Sequence, residues 1–145
     1  MLKNIPYITD PDCLFCKIIE GSISSYKVYE DADTYAFLDI NPNNHGHTLV
    51  VPKDHFENIY GTPDETLCRT MITARKVAIA VKNALNADGV NININNETAA
   101  GQIIFHTHIH IIPRFNNDGF KHWAQKSYLP GEAESVLEKI KEKLK

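Results

Sequence analysis

The chain holds few cysteines, one tryptophan, no excess of basic residues and no long apolar run. Three cysteines in 145 residues, an odd number, do not make the disulfide framework that staples small exported domains. No stretch approaches the roughly 20 apolar residues that a membrane-spanning helix needs. The opening segment MLKNIPYITDPDC places Asn, Pro and Asp where an export signal needs an apolar core. A cytoplasmic protein with no membrane partner is the expectation. Fifteen Lys and Arg against 18 Asp and Glu leave a net charge of −3, which argues against a nucleic-acid partner, because such a partner needs a basic surface. An anionic ligand would have to be held by local groups and not by the overall field.

What is present is an ordinary globular composition, 43% hydrophobic and 23% charged, at a length suited to one domain over 1–145. Residues 1–12 read as an N-terminal extension and 116–145 as a C-terminal region with a helix. Residues 14–20 predict a short helix ending at Gly21. Strand character follows at 26–29 and 34–39 across an EDAD turn, then at 47–51 after the turn-rich NPNNHG, with a stop at Pro52. Thr62-Pro63-Asp64-Glu65 is a helix start with Thr62 as N-cap. From there Leu67, Met71, Ala74, Ala78, Val81 and Leu85 recur in steps of three and four, which predicts one apolar face of a long helix. Cys68, inside that helix, reads as a small buried thiol. Two more strands are expected at 90–95 and 103–112, then a helix over 132–144 with Val136, Leu137, Ile140 and Leu144 inward. The order predicts an α+β fold, an antiparallel sheet of about five strands covered by the long helix, with short N- and C-terminal helices.

The chemistry concentrates in Phe105-His106-Thr107-His108-Ile109-His110-Ile111-Ile112. On a strand, His106, His108 and His110 would point one way and Thr107, Ile109 and Ile111 the other. Three imidazoles make a poor core surface, since each carries two polar nitrogens that need partners. A three-histidine zinc site is one reading, yet residues so close on one straight strand do not easily converge on a tetrahedral ion. Attack on phosphorus is the other reading. Neutral imidazole is a competent nucleophile near neutral pH, and its phosphorus adduct stays reactive toward water. Its far nitrogen must be tied down so that the attacking nitrogen is bare. Donors must also meet the phosphoryl oxygens, a task for the flanking histidines and for the main chain of the small-residue loop Ala99-Ala100-Gly101. Cys13 and Cys16 form a C-x-x-C pair. The pair supplies half of a tetrahedral metal site, or a redox couple, although no strand precedes it as a thioredoxin-like pattern requires.

Taken together, AAGQIIFHTHIHIIPR (99–114), GHTLVVPK (46–53) and AFLDI (36–40) resemble the blocks of the histidine-triad (HIT) superfamily, nearest its Hint-like bacterial and organellar branch. With the cysteine pair, the likeness runs from about residue 13 to 115. The resemblance implies hydrolysis of purine nucleoside 5′-phosphoramidates or related nucleotidyl conjugates through a covalent nucleotidyl-histidine. The alternatives are a dinucleoside polyphosphate hydrolase, or a nucleotide-binding and interaction protein with incidental catalysis. It implies His108 as nucleophile, His110 and His47 beside the phosphate, and His106 ordering the triad. Asp39 would accept from the ribose hydroxyls. Asn95 and Gln102 match phosphate contacts, while Phe15, Phe37, Ile40 and Leu49 match the wall of the base pocket. Ile103 stands where many members carry Ser or Thr, a hydroxyl associated with the leaving group. Some members complete the cysteine pair with two histidines, which here would be His55 and His106, around a structural zinc; the alternative is two ordinary reduced cysteines. A homodimer is also implied. His45 and His122 match no motif and are expected at the surface. Trp123 is either a partner contact or a local packing residue.

Overall fold

A computed structural model describes residues 6–145; the first five residues of the expected N-terminal extension lie outside the described part. In chain order the elements are α1 (Leu14–Glu20), β1 (Lys27–Glu30), β2 (Thr34–Leu38), β3 (Thr48–Pro52), α2 (Asp64–Leu85), β4 (Gly89–Asn93), β5 (Ile109–Arg114) and α3 (Glu132–Lys143). The strands form one antiparallel sheet in the order β1-β2-β3-β5-β4. The α+β expectation with five strands and a long covering helix holds. Among the described residues no helix is long and apolar enough to cross a membrane.

Strand alternation divides the core between two faces. Tyr35, Phe37, Leu49 and Val51 join Cys13, Phe15, Cys16 and Ile18 on the α1 face. Ala36, Val50, Ile109 and Ile111 meet Ala74, Val77, Ala78 and Val81 of α2 on the other. α1 is short but closed at both ends. Cys13 Sγ accepts the Cys16 N–H at its start, and Gly21, at φ 86°, returns its N–H to the Ile18 and Lys17 carbonyls at its end.

The buried face of α2 differs from the expected one. Ala74, Ala78 and Val81 are buried, but the rest of the face is Thr70, Thr73 and Val77, while Met71 and Leu85 are more than a third exposed. Small residues let the helix lie close to the sheet, and the threonines bury hydroxyls because those hydroxyls find partners. Thr73 Oγ1 lies 2.9 Å from Thr34 Oγ1, and Thr70 Oγ1 donates to the Thr66 carbonyl. A search for large apolar residues passes over such positions. Cys68 is exposed, not buried. Thr62 is not the N-cap either: Pro63 occupies that place, and the Thr62 hydroxyl instead bonds the Asn58 carbonyl and Thr107 Oγ1, each at 2.8 Å.

Two further expectations are corrected. The strand predicted over 103–112 begins only at Ile109 and runs to Arg114; its pairing with β3 ends at Val50↔Ile109, and residues 102–108 turn away to bond the loop after β3. The C-terminal helix forms, yet Val136, Leu137, Ile140 and Leu144 face outward, because every residue from 119 to 145 is exposed and no core cluster among the described residues includes α3.

Candidate active site

His106, His108 and His110 project toward the α1 face of the sheet, as alternation requires, although only His110 belongs to a strand. The segment carrying the other two is extended but pinned differently. Thr107 N–H donates to the Phe56 carbonyl at 2.7 Å, and its hydroxyl is buried against Thr62. That anchoring sends Thr107 to one side and the imidazoles of His106 and His108 to the other.

Hydrogen bonds fix each ring's tautomer. His106 Nε2 is 2.8 Å from the Pro52 carbonyl, so Nε2 holds the proton and Nδ1 is bare. His108 Nδ1 is 2.6 Å from the His106 carbonyl, so Nδ1 holds the proton and Nε2 is bare. His47 Nδ1 accepts the Asn43 N–H at 3.2 Å; its proton therefore sits on Nε2, which donates to His110 Nδ1 at 2.9 Å. His110 is left with its proton on Nε2, a buried atom with no partner among the described residues. Its ring centroid lies 4.8 Å from that of His108. A bare nucleophilic nitrogen and an unpartnered donor thus share one site.

Burial keeps these rings neutral. Removal from water pushes the pKa of His110 down to about 4, and the neighbouring His108 and His47 act in the same direction. Burial also lowers His108, opposed by its bond to the His106 carbonyl, and lowers His47, opposed by Asp39. Asp39 Oδ2 lies 3.8 Å from His47 Nδ1.

Gly46 sets the approach of His47. Its φ of 95° belongs to glycine, and a Cβ there would meet Leu85 Cδ1 at 2.2 Å. The end of α2 therefore packs directly against the turn that delivers His47.

The remaining sequence-derived residues divide. Phe15, Phe37 and Leu49 are buried together. Phe15 packs edge-on to Phe37 and to the His108 ring, at centroid separations of 5.3 and 5.2 Å. Ile40 is 77% exposed, and Ile103 is 84% exposed. Asn95 Oδ1 accepts from Asn93, and its Nδ2 lies closest to the position of a Cβ at Gly101. The Gln102 amide is engaged with main chain: Oε1 accepts the Glu97 N–H, and Nε2 donates to the Glu57 and Ile104 carbonyls. The small-residue loop also bonds itself. The Ala100 and Gly101 N–H groups return to the Glu97 and Thr98 carbonyls. Asn43 and Pro52 were missed because they act through main-chain atoms, which no side-chain pattern reveals. His45, His122 and Trp123 are exposed.

Cys13, Cys16, His55 and His106 converge as a second group. His106 Nδ1 lies 3.5 Å from Cys13 Sγ, 3.6 Å from Cys16 Sγ and 3.3 Å from His55 Nδ1, and Cys16 Sγ lies 3.4 Å from His55 Nδ1. A tetrahedral zinc, about 2.3 Å from sulfur and 2.0–2.1 Å from nitrogen, separates its ligands by roughly 3.3–3.8 Å. The donor set fits. The Asp10 N–H bonds Cys16 Sγ, the Cys16 N–H bonds Cys13 Sγ, and the Pro52 carbonyl orients His106, the outer contacts that a metal centre uses. Burial pushes the Cys13 thiol up to about 11, so a thiolate there calls for a cation beside it. Asp39, His47 and His110 also bring ligand atoms within 4.8 Å, but there the imidazole lone pairs are already taken by Asn43 N–H and by His47 itself.

Comparison with known proteins agrees with this geometry. An uncharacterised HIT-like protein of Methanocaldococcus jannaschii is 52% identical, covering 74% of this chain and 82% of its own length. Adenylylsulfatase HINT3 of Arabidopsis thaliana is 43% identical over 80% of this chain and 58% of its own length. Among solved structures, SMU.412c of Streptococcus mutans superposes with a TM-score of 0.89 at 41% identity, covering 94% of this chain and 88% of that one. A zinc-bound histidine triad family protein of Mycobacterium smegmatis gives 0.73 at 35%, covering 90% and 96%. The model of the HIT domain matches residues 20–117, a span that contains every histidine of both clusters, and the chain belongs to the HIT domain family.

Proposed function

We propose that this chain is a nucleotidyl hydrolase that cleaves purine nucleoside 5′-phosphoramidates or related nucleotidyl conjugates in two steps, through a nucleotide held covalently on His108. The observation that carries the reading is the pairing of a bare His108 Nε2, fixed by the 2.6 Å bond from Nδ1–H to the His106 carbonyl, with the unpartnered His110 Nε2–H beside it. The His108 lone pair forms the N–P bond while the bond to the leaving group breaks; water then cleaves the N–P bond and returns the pair to Nε2. His110 Nε2–H meets the charge that builds on a phosphoryl oxygen, and His47 holds His110 in the tautomer that allows this. In this reading Asp39 takes the ribose hydroxyls, Asn95 lies beside the phosphate with Gln102 bracing the loop that leads to Ile103, and Phe15, Phe37, Leu49 and Ile40 border the base.

Zinc, held by Cys13, Cys16, His55 and His106, would be structural, fixing the residue whose carbonyl aims the nucleophile. The zinc-bound relative supports this, and a cytoplasmic setting, in which thiols stay reduced, belongs to the same reading. A homodimer belongs to the same reading; the outward apolar residues of α3 are the kind of surface a second copy covers. The name of the HINT3 relative supports a nucleotidyl conjugate as substrate.

A second reading, a nucleotide-binding protein with incidental turnover, draws on Ile103, an exposed apolar side chain at the phosphate loop. Steady-state assay with adenosine 5′-phosphoramidate and diadenosine polyphosphates, wild type beside His108→Ala, separates the two. AMP release that vanishes in the variant supports the hydrolase. No release from either protein, with AMP still bound by both, supports the binding protein.

A further inference from the structure

The ladders of β3 do not reach His47. Both stop at Thr48, one residue past the histidine, so its main chain is held by the turn before it. The His47 N–H donates to the Asn44 carbonyl at 3.0 Å, and its carbonyl accepts the Asp39 N–H at 2.9 Å. The ring is seated by the same turn, through the Asn43 N–H at 3.2 Å. Where His47 meets His110 therefore depends on how residues 40–46 are held against the sheet. Gly46 packs against Leu85 on one flank. On the other stands Asn44, half-buried between the exposed Asn43 and His45. Among the described residues, its side chain is the one in this turn that hydrogen-bonds to a distant segment. Asn44 Nδ2 donates to the Pro113 carbonyl at 2.8 Å and to Asp118 Oδ2 at 3.1 Å, which uses both of its hydrogens.

Asp118 is a firm anchor. Its side chain is 6% exposed, and a buried carboxylate is costly unless it is paired and hydrogen-bonded. Arg114 grips both oxygens, Nε to Oδ2 at 2.8 Å and Nη2 to Oδ1 at 3.2 Å, and the Phe115 and Phe120 N–H groups each donate at 3.0 Å. Such a fork fixes orientation as well as charge. Arg114 ends β5, the strand that carries His110, and its Nη1 bonds Asn91 Oδ1 of β4 at 2.7 Å. The carboxylate is thus built onto the strand of one histidine, and Asn44 hooks the turn of the other onto it.

We propose that Asn44, seated by the Arg114–Asp118 pair, is a positioning residue for the reaction, holding the 40–46 turn against β5 so that His47 meets His110 beside the nucleophile. The proposal rests on the hydrolase reading above and adds to it three residues outside both histidine groups. Loss of the tether leaves every histidine in place in the sequence but lets the turn shift. Displacement of a reacting group by about 1 Å costs up to about 100-fold in rate.

The test is a double-mutant cycle in the full chain, read as kcat/KM for AMP release from adenosine 5′-phosphoramidate, with melting temperatures alongside. Asn44→Ala should lower kcat/KM by about tenfold in the wild-type background. In the His47→Leu background the same change should cost less than about twofold, because the residue it positions is gone. A general loss of stability would act alike in both backgrounds. Asn44→Asp, equal in size, sets a carboxylate against the Pro113 carbonyl and Asp118, and should lose at least as much as Asn44→Ala without opening a gap. Equal losses in the two backgrounds, or full activity in either Asn44 variant, would overturn the proposal and leave the hydrolase reading standing. Failure of the wild type itself to release AMP, while still binding it, would overturn both.

Discussion

The main-chain carbonyl of His106 and the Nδ1 of His108 lie 2.6 Å apart, and the same His106 turns its own Nδ1 into the Cys13–Cys16–His55 cluster. One residue therefore joins the two histidine groups of this protein. Its ring belongs to the metal-competent cluster, its Nε2–H is held by Pro52, and its carbonyl selects which nitrogen of His108 is free. Phe15, between the two cysteines on α1, strengthens the link by packing edge-on to the His108 ring.

Removing a cluster ligand should act at both places. His55→Ala is expected to lower bound zinc, measured by elemental analysis, and to lower the melting temperature. With the second nitrogen ligand gone, metal affinity should fall at least about tenfold, as the loss of even an outer-shell partner does elsewhere. Unchanged metal content would show that His55 is no ligand.

The His47–His110 bond makes a prediction about tautomers. His47→Leu frees His110 Nδ1 to take the proton, so the donor aimed at the site is lost in part of the population. Formation of the AMP adduct should slow by about 100-fold, the scale of losing one preorganised donor. His47→Gln, which restores an N–H toward His110, should recover part of that loss. Equal rates in the two variants would mean that the tautomer of His110 does not matter.

Acid should destabilise the fold in a defined window. The pKa of His110 is about 4 in the folded chain, against an ordinary histidine value near 6.5 in the unfolded one. Between those values the unfolded state binds the extra proton, so stability falls as pH drops from about 6.5 toward 4 and is fully retained above that window. His47 and His108, both lowered, act in the same direction. Chemical denaturation of the wild type and of His110→Asn across this range should show a weaker pH dependence in the variant. Identical slopes would remove His110 from the account.

Gly46→Ala should be costly for two separable reasons, a left-handed φ of 95° and the overlap of its Cβ with Leu85. A loss of about 1–3 kcal/mol is expected. In Gly46→Ala with Leu85→Ala, part of the penalty should disappear because the clash is gone while the backbone strain stays. A double variant as unstable as the sum of the two singles would show that the contact contributes nothing.

Much of the site was legible because its chemistry is local in sequence. The spacing of His106, His108 and His110 places three rings on one side of any extended segment, and the C-x-x-C pair announces half of a metal site. α1 was legible for a similar reason, since Cys13 caps it and Gly21 closes it within the helix itself. The α2 face was read less well. Its packing depends on how close the helix sits to the sheet, and closeness favours Thr70, Thr73 and Ala74 over the larger residues that mark an apolar stripe.

The sequence by itself determined the α+β class, the order of elements and the residue types able to attack phosphorus or hold zinc, because periodicity and side-chain chemistry are properties of short segments. Only the tertiary structure decided which nitrogen of each histidine is bare. That choice rests on the carbonyls of Pro52 and His106 and on the N–H of Asn43, main-chain groups that every sequence possesses and that only the fold aims. It also decided that the apolar stripe of α3 faces outward, because burial requires an opposing surface, and the described residues present none to it.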